Sequence, residues 1–477
     1  MATDDRLQTN LMRVKRRYPA SKPMTPSQLK VMEEVREASS VVPGHYYLPE
    51  SDEEEYDTDI EPDEGEKPEY ENLGVNVYLK TCRKLKQLPI RHVCEALMER
   101  TSIEVRNRGL TAYGTLSITN ALLVNVTVTR LCLDGNALPS KALKYISWLL
   151  TENVAISSLS LDENRFDSEG IMELCNTIKV STTLTKLSLA GNNLENVDAS
   201  YVASMLLYNA VLQDLNLSYN NISDEGAAYL AEAIAANDYL KSIDLSWNKI
   251  RPSGIVHIAK AVKENVMLKS LNLAMNGIAR DGCEALSAML LNNDSLMFLN
   301  ISNSRIKDLD ASLLVPALLK NDSLRSLNMS YNTINSSTLV TLLQAIRRNE
   351  GRALNFLDMS GILIFRSVQF FAQQIKGSRS VFKFNHGDIV TYNGTMAEEE
   401  QQLIKQCNPL ELLRWYLNLK RLSFDPFISS TGHLRKEELQ TLLKRIGLTL
   451  TPSQLDQLYL TGEGTTAETI DIKAIIV

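Results

Sequence analysis

The sequence predicts an α/β solenoid, a horseshoe whose parallel strands line the concave side and whose helices line the convex side. Three observations predict it. The pattern LxLxxNx(L/I) starts at Leu131, Leu159, Leu187, Leu215, Ile243, Leu271, Leu299 and Leu327, each 28 residues after the last. After each copy comes a run such as "DEGAAYLAEAIAAND", with apolar residues at Ala227, Leu230, Ala231 and Ile234. That is the i, i+3, i+4, i+7 stripe of an amphipathic helix. Finally, the sixth position of the motif is Asn at 136, 164, 192, 220, 248, 276 and 332. A period held this strictly marks a stacked repeat array.

Taken in order, residues 1–71 read as a disordered tail, low in apolar content and punctuated by proline. Within it Glu50–Glu71, "ESDEEEYDTDIEPDEGEKPEYE", holds 13 acidic residues and one Lys. The formal charge of −7 therefore conceals a strongly acidic tail and a mildly basic remainder. Residues 72–102, with "YLKTCRKLKQLPIRHVCEALMER", read as a helical cap that shields the first strand.

The array itself spans 103–390. Weaker copies begin it at Ile103 and extend it at Leu357, and "FKFNHGDI" from Phe382 closes it. Each Leu–x–Leu is a short strand with its leucines inward. Strands stack at ~4.8 Å but helices need ~8–10 Å, so the stack must curve with its strands on the inside. No single repeat stands alone, because backbone ordering costs ~1–2 kcal/mol per residue; stability comes from neighbours. Asp224 or Ser223 is expected to cap the helix that follows, and Asn237 to close it. The sixth-position Asn is expected to satisfy inward-pointing backbone groups of the turn, with two donors and an acceptor. The ladder breaks at Ser304, where a locally softer turn over 302–308 is expected; the flanking copies carry Arg108 and Ile362.

Residues 391–477 read as a helical, EF-hand-like module without calcium ligands. "AEEEQQLIKQCNPLELLRWYLNLKRL" reads as helix, and helix, Gly-containing loop, helix follows. With Gly432 at the sixth loop position, Phe427, Ser429 and Thr431 stand at one, three and five, where calcium needs oxygen ligands rich in carboxylate, and only Glu438 survives at twelve. The second loop offers Glu463 and Thr465 but Ala467, Glu468 at the glycine position and Ala474 at twelve.

Chemistry is sparse. There is no GxxxxGK[ST], no HExxH and no GxSxG. The histidines (45, 92, 257, 386, 433) are isolated, and the cysteines (82, 94, 132, 175, 283, 407) form no CxxC. These spacings imply reduced thiols in a cytoplasmic protein, with no metal, cofactor or catalytic residue expected. The charge distribution argues against nucleic acid, and no apolar run approaches the ~20 residues of a spanning helix.

Function is instead expected on the concave face, where side chains beside the strand leucines point outward. They are mostly small and polar, with Asp134, Asp162, Asp214, Asp244 and Asp358 against Lys186 and Arg130. Cys132 is expected to point into the concavity. Alongside runs Tyr219, Trp247, Met275 and Tyr331, one residue before the ladder Asn, and Phe298 and Phe356 stand on strands. Those aromatics either fill the turn or present hot-spot surface. The expected partner is a protein segment of basic character, on a non-enzymatic scaffold of unassigned oligomeric state.

The 28-residue helical repeats resemble the ribonuclease-inhibitor-like class of leucine-rich repeats. The "YLKTCRKLKQLP" cap, "FLDMSGILI" and the "STGHLRKEEL" loop narrow this to a resemblance to the leucine-rich-repeat-containing protein 74 family, over roughly residues 70–477. The resemblance implies a non-enzymatic protein. Because related repeat proteins include ciliary subunits, it also implies a cilium or flagellum as a setting. Some helical leucine-rich-repeat proteins are GTPase-activating proteins, and that is the alternative function, with Arg106 and Arg130 as the concave arginines near the start of the array.

Overall fold

The computed structural model describes residues 74–349, 351, 353–390, 407–413, 433–446, 448, 450–461 and 469–471. The tail of residues 1–71, most of the expected helix over 397–422, and both calcium-type loops at 427–432 and 463–468 lie outside them, as does Ala474.

Eleven strands, from Ser102–Glu104 to Lys383–His386, pair parallel and in chain order. Their register is the sequence repeat: Leu187 faces Leu215, and Leu215 faces Ile243. Parallel neighbours cannot be joined by a hairpin, so each crossover is helical, as in Asn196–Tyr208, Asp224–Ala236 and Pro252–Glu264. The stripe Ala227, Leu230, Ala231 and Ile234 is buried, and it closes on the equally buried Leu215 and Leu217 of its own strand. One crossover is split into Asp308–Ser312 and Val315–Lys320; Pro316, in the first turn of the second piece, lacks the N–H an unbroken helix requires. Before the first strand lie helices Val75–Lys84 and Arg91–Glu99, which bury Tyr78, Val93, Ala96 and Leu97. Among the described residues no helix is long and apolar enough to cross a membrane.

Each sixth-position Asn ties one turn to the next. Asn220 donates to the carbonyls of Leu189, Leu217 and Ser218 at 3.0–3.1 Å. Its Oδ1 accepts from the N–H groups of Asn192 and Leu194, each at 3.0 Å. At the break, buried Ser304 keeps a donor from its own N–H to Asn332, and its hydroxyl donates to the Ser302 carbonyl. The lost acceptor is felt one turn earlier. Ile278 donates to the Ser304 carbonyl instead, and Ala279 takes φ 48°.

A second ladder runs where helices end. Asn237 donates to the carbonyls of Leu206 and Asn209, and accepts from the N–H groups of Tyr239 and Leu240. Asn153, Asn209, Asn265, Asn293, Asn321 and Asn349 reach back to the two preceding carbonyls in the same way. Ser181 interrupts this row, and its buried Oγ has no partner.

The helix Asp224–Ala236 departs from the expectation that Ser223 or Asp224 caps it. Thr111, Asp167 and Asn335 do cap their own helices, but here and in Pro252–Glu264 the cap comes from the preceding repeat. Asn196 accepts from the N–H groups of Ser223 and Gly226, and Asp224 accepts from those of Arg251 and Gly254. Stacking brings the first helical residue of one repeat beside the opening N–H groups of the next, so in these two helices the cap is an inter-repeat bond.

Beyond the array, strands His433–Arg435 and Thr469–Asp471 pair antiparallel, with Leu434 opposite Ile470. Helices Lys436–Ile446 and Pro452–Thr461 lie between them in sequence. Gln454 donates to the Cys407 carbonyl at 3.2 Å, and Gln374 of the last repeat helix donates to Glu411. Residues 407–413 thus touch both the array and the C-terminal helices.

Candidate protein-interaction surface

The alternation of the strands decides what the sheet face carries. Strand leucines are buried, and the residues between and before them are left wholly or partly exposed, except Cys132, which was expected to point into the concavity but is buried, its thiol held by Asp134. All five aspartates of interest fall on this face, and each carboxylate already has a partner.

Asp134 accepts from the Ser160 hydroxyl at 2.6 Å, from the Asp162 N–H and from the Cys132 thiol. Asp162 repeats the arrangement one strand on, accepting from Ser188 at 2.6 Å and from the Ala190 N–H. Desolvation by burial raises the Asp162 carboxyl above the usual carboxylate range. The Cys132 thiol, buried and held by Asp134, is pushed up to about 11. Such a thiol stays protonated and unreactive at neutral pH.

Asp244 and Asp358 each accept from the N–H and hydroxyl of the Ser two residues on, and the other oxygen of Asp244 accepts from the Asn272 amide of the next strand at 2.8 Å. Asn216, Asn272, Asn300 and Asn328 accept from the equivalent N–H at the same position. The fold requires only an acceptor here, so the negative charges of Asp244 and Asp358 exceed what the turn needs. Asp214 is different again: it lies 2.9 Å from the ammonium of Lys186. Arg106 sits 3.7 Å from both Glu104 and Asp134, and Arg130 is exposed.

Register also brings two distant phenylalanines together. Phe298 and Phe356 both face Ser326, one from each side. Two strand spacings separate them, about 10 Å. Phe298 is 48% exposed and Phe356 half-buried, so the two rings border a slot floored by a small polar residue. A gap of 58 residues hides this in sequence; counting repeats would have revealed it.

The turn leaving each strand passes through left-handed backbone at the fifth position, from Asn107 (φ 52°) to Gly361 (φ 74°). Tyr219, Trp247, Met275 and Tyr331 occupy that position. They do not fill the turn, since Tyr219, Trp247 and Tyr331 are 55%, 45% and 64% exposed. The Tyr219 and Trp247 rings stack at 4.8 Å with 14° between their planes. Left-handed backbone at a side-chain-bearing residue costs roughly 1–2 kcal/mol. Sequence reading found the aromatic row but missed the shared backbone state and the second Asn ladder. The ladder is legible as an Asn repeated every 28 residues from Asn125.

The family described as Leucine Rich repeat matches residues 180–203, 208–231, 236–259, 264–287 and 320–342. Leucine-rich repeats are present. No curated protein matches the chain. Among solved structures, the Rad7–Elc1 complex of yeast is similar at 14% identity, over 79% of this chain and 97% of that one, with a TM-score of 0.39. An internalin (inlF) of Listeria monocytogenes is similar at 17% identity, over 68% and 96%, with a TM-score of 0.35. The tropomodulin C-terminal domain of Caenorhabditis elegans is similar at 16% identity, over 31% and 90%, with a TM-score of 0.28.

Proposed function

We propose that the leucine-rich-repeat array is a non-enzymatic scaffold that holds a protein partner of basic character against its sheet face. The observation that carries this reading is the slot of Phe298, Ser326 and Phe356. A sheet face in water has no structural use for a half-exposed Phe ring. Aromatic side chains beside small polar ones are what binding hot spots use. The surplus charge of Asp244 and Asp358 gives the partner its sign. Nothing in the geometry favours the GTPase-activating alternative over this, because Arg106 lies beside Glu104 and Asp134. The cytoplasmic setting rests on the cysteine spacing, and a cilium or flagellum within it rests on the resemblance alone, as does membership of the leucine-rich-repeat-containing protein 74 family.

The C-terminal segment is proposed to be an EF-hand-like unit serving as a further contact. Leu434 and Ile470 are each eighth in their loops, counting from Phe427 and Glu463, and they pair with one another. Equivalent positions opposite each other are what two pseudo-symmetric loops require. A measurable calcium heat in titration calorimetry would contradict the reading of these loops as calcium-blind.

The scaffold reading predicts that Phe298→Ser, with an unchanged melting midpoint, loses the neighbours that the wild-type chain biotinylates by proximity labelling in ciliated cells. Identical neighbour sets from both would remove the slot from the binding surface.

A further inference from the structure

The fifth-position residues carry an inference that rests on the scaffold reading and sharpens it. Their backbone is left-handed in every repeat from Asn107 to Gly361. Gly adopts this state freely and Asn tolerates it. The chain uses Gly at 135, 191 and 361 and Asn at 107 and 303, so locally compatible residues were available at this position. At Tyr219, Trp247, Met275 and Tyr331 it uses bulky ones, for which such a backbone is an outlier. Core packing does not offset the strain, because three of the four are about half exposed or more.

Two of the rings lean on the next repeat instead. Tyr219 stacks on Trp247, and Tyr331 lies where a Cβ on Gly361 would come within 2.4 Å of its ring. The result is a ridge beside the strands. It spans five repeats from Tyr219 to Tyr331, with Asn303 as a gap before the last, and its four strand spacings make about 19 Å, which an extended chain crosses in about six residues. The strand side of the ridge carries Asp244, Asp214 in its pair with Lys186, and Asp358 one strand beyond Tyr331, and the exposed cations Lys249 and Arg251 follow the ridge toward the helix side. Strain at residues in rare backbone states collects at ligand clamps and switch regions.

We propose that this left-handed aromatic ridge is the partner-binding epitope, and that its occupant is an extended peptide segment bearing arginine or lysine. The peptide's cations lie over the Tyr219, Trp247 and Tyr331 ring faces, on the strand side where the carboxylates are. Cation–π contact with Trp and Tyr, strengthened by neighbouring carboxylates, gives the sign preference.

The test is a phage-displayed library of random dodecapeptides selected on the full-length chain, pre-cleared on a synthetic peptide of residues 50–71 to remove ligands of the acidic run. Selected peptides are measured against wild type, against a Trp247→Asn, Tyr331→Asn double variant, and against Phe298→Ser. Asn already stands at this position in two repeats, so the double variant is expected to melt at or above the wild-type midpoint. It is expected to bind Arg- or Lys-bearing peptides at least about tenfold more weakly, the loss of two hot-spot rings. Peptides that bind the double variant as well as wild type but lose affinity for Phe298→Ser would overturn the ridge and leave the sheet-face scaffold standing. Selected peptides without Arg or Lys, or indifferent to all three changes, would overturn both. A lowered midpoint in the double variant would overturn the argument from strain.

Discussion

Asn220 makes five hydrogen bonds with one side chain; only Gln shares its donors and acceptor, on a stem one methylene longer. Asn220→Ala leaves three carbonyls and two N–H groups without it, at ~1–3 kcal/mol for each one left unpaired and buried. Relaxation recovers part of this, so a loss of at least about 3 kcal/mol is expected in urea denaturation. Ser181→Asn should move the other way, by about 1 kcal/mol, because its amide would reach the Leu150 and Asn153 carbonyls as its ladder neighbours do. A Ser181→Asn protein no more stable than wild type would show that the second ladder tolerates its gap. The first ladder was legible because one polar residue type recurs at one place in an apolar motif. Carboxylate engagement was not. Whether Asp162 is bare or bonded to Ser188 depends on which strands are neighbours, and no local pattern states that.

At the level of the strand–turn–helix unit, sequence located the elements well and misplaced their fastenings. The Leu–x–Leu strands and the stripe at Ala227, Leu230, Ala231 and Ile234 lie as their periods require. The helix cap does not: Asp224 serves the helix Pro252–Glu264, because neighbours 28 residues apart in sequence are in contact in space. Ser304 teaches the same lesson. Sequence placed the soft turn at 302–308, yet Ser304 keeps its bonds to Asn332 and Ser302, while the preceding turn rearranges around Ile278 and Ala279. Amide exchange at 276–279 is therefore expected to be faster than at the equivalent 248–251, and Ser304→Asn should slow it. Equal exchange at the two turns would mean that the Ile278 bond to the Ser304 carbonyl replaces the lost amide in full.

For the array as a whole, the period alone foretold the parallel sheet and its order, since every repeat must bury its leucines against the next. What it presents to a partner was only partly legible. The aspartates and aromatics could be named from sequence, but the slot of Phe298 and Phe356 follows from the register across Ser326. The central claim is that the sheet face receives a protein partner. It is tested most directly by placing a photo-crosslinking amino acid at Ser326, on the floor of the slot, and at the exposed Lys260 of helix Pro252–Glu264 as control. The account predicts a small set of covalent adducts from position 326, to segments bearing Lys or Arg, that position 260 does not give. The same adducts from both positions, or adducts from 260 alone, would contradict it.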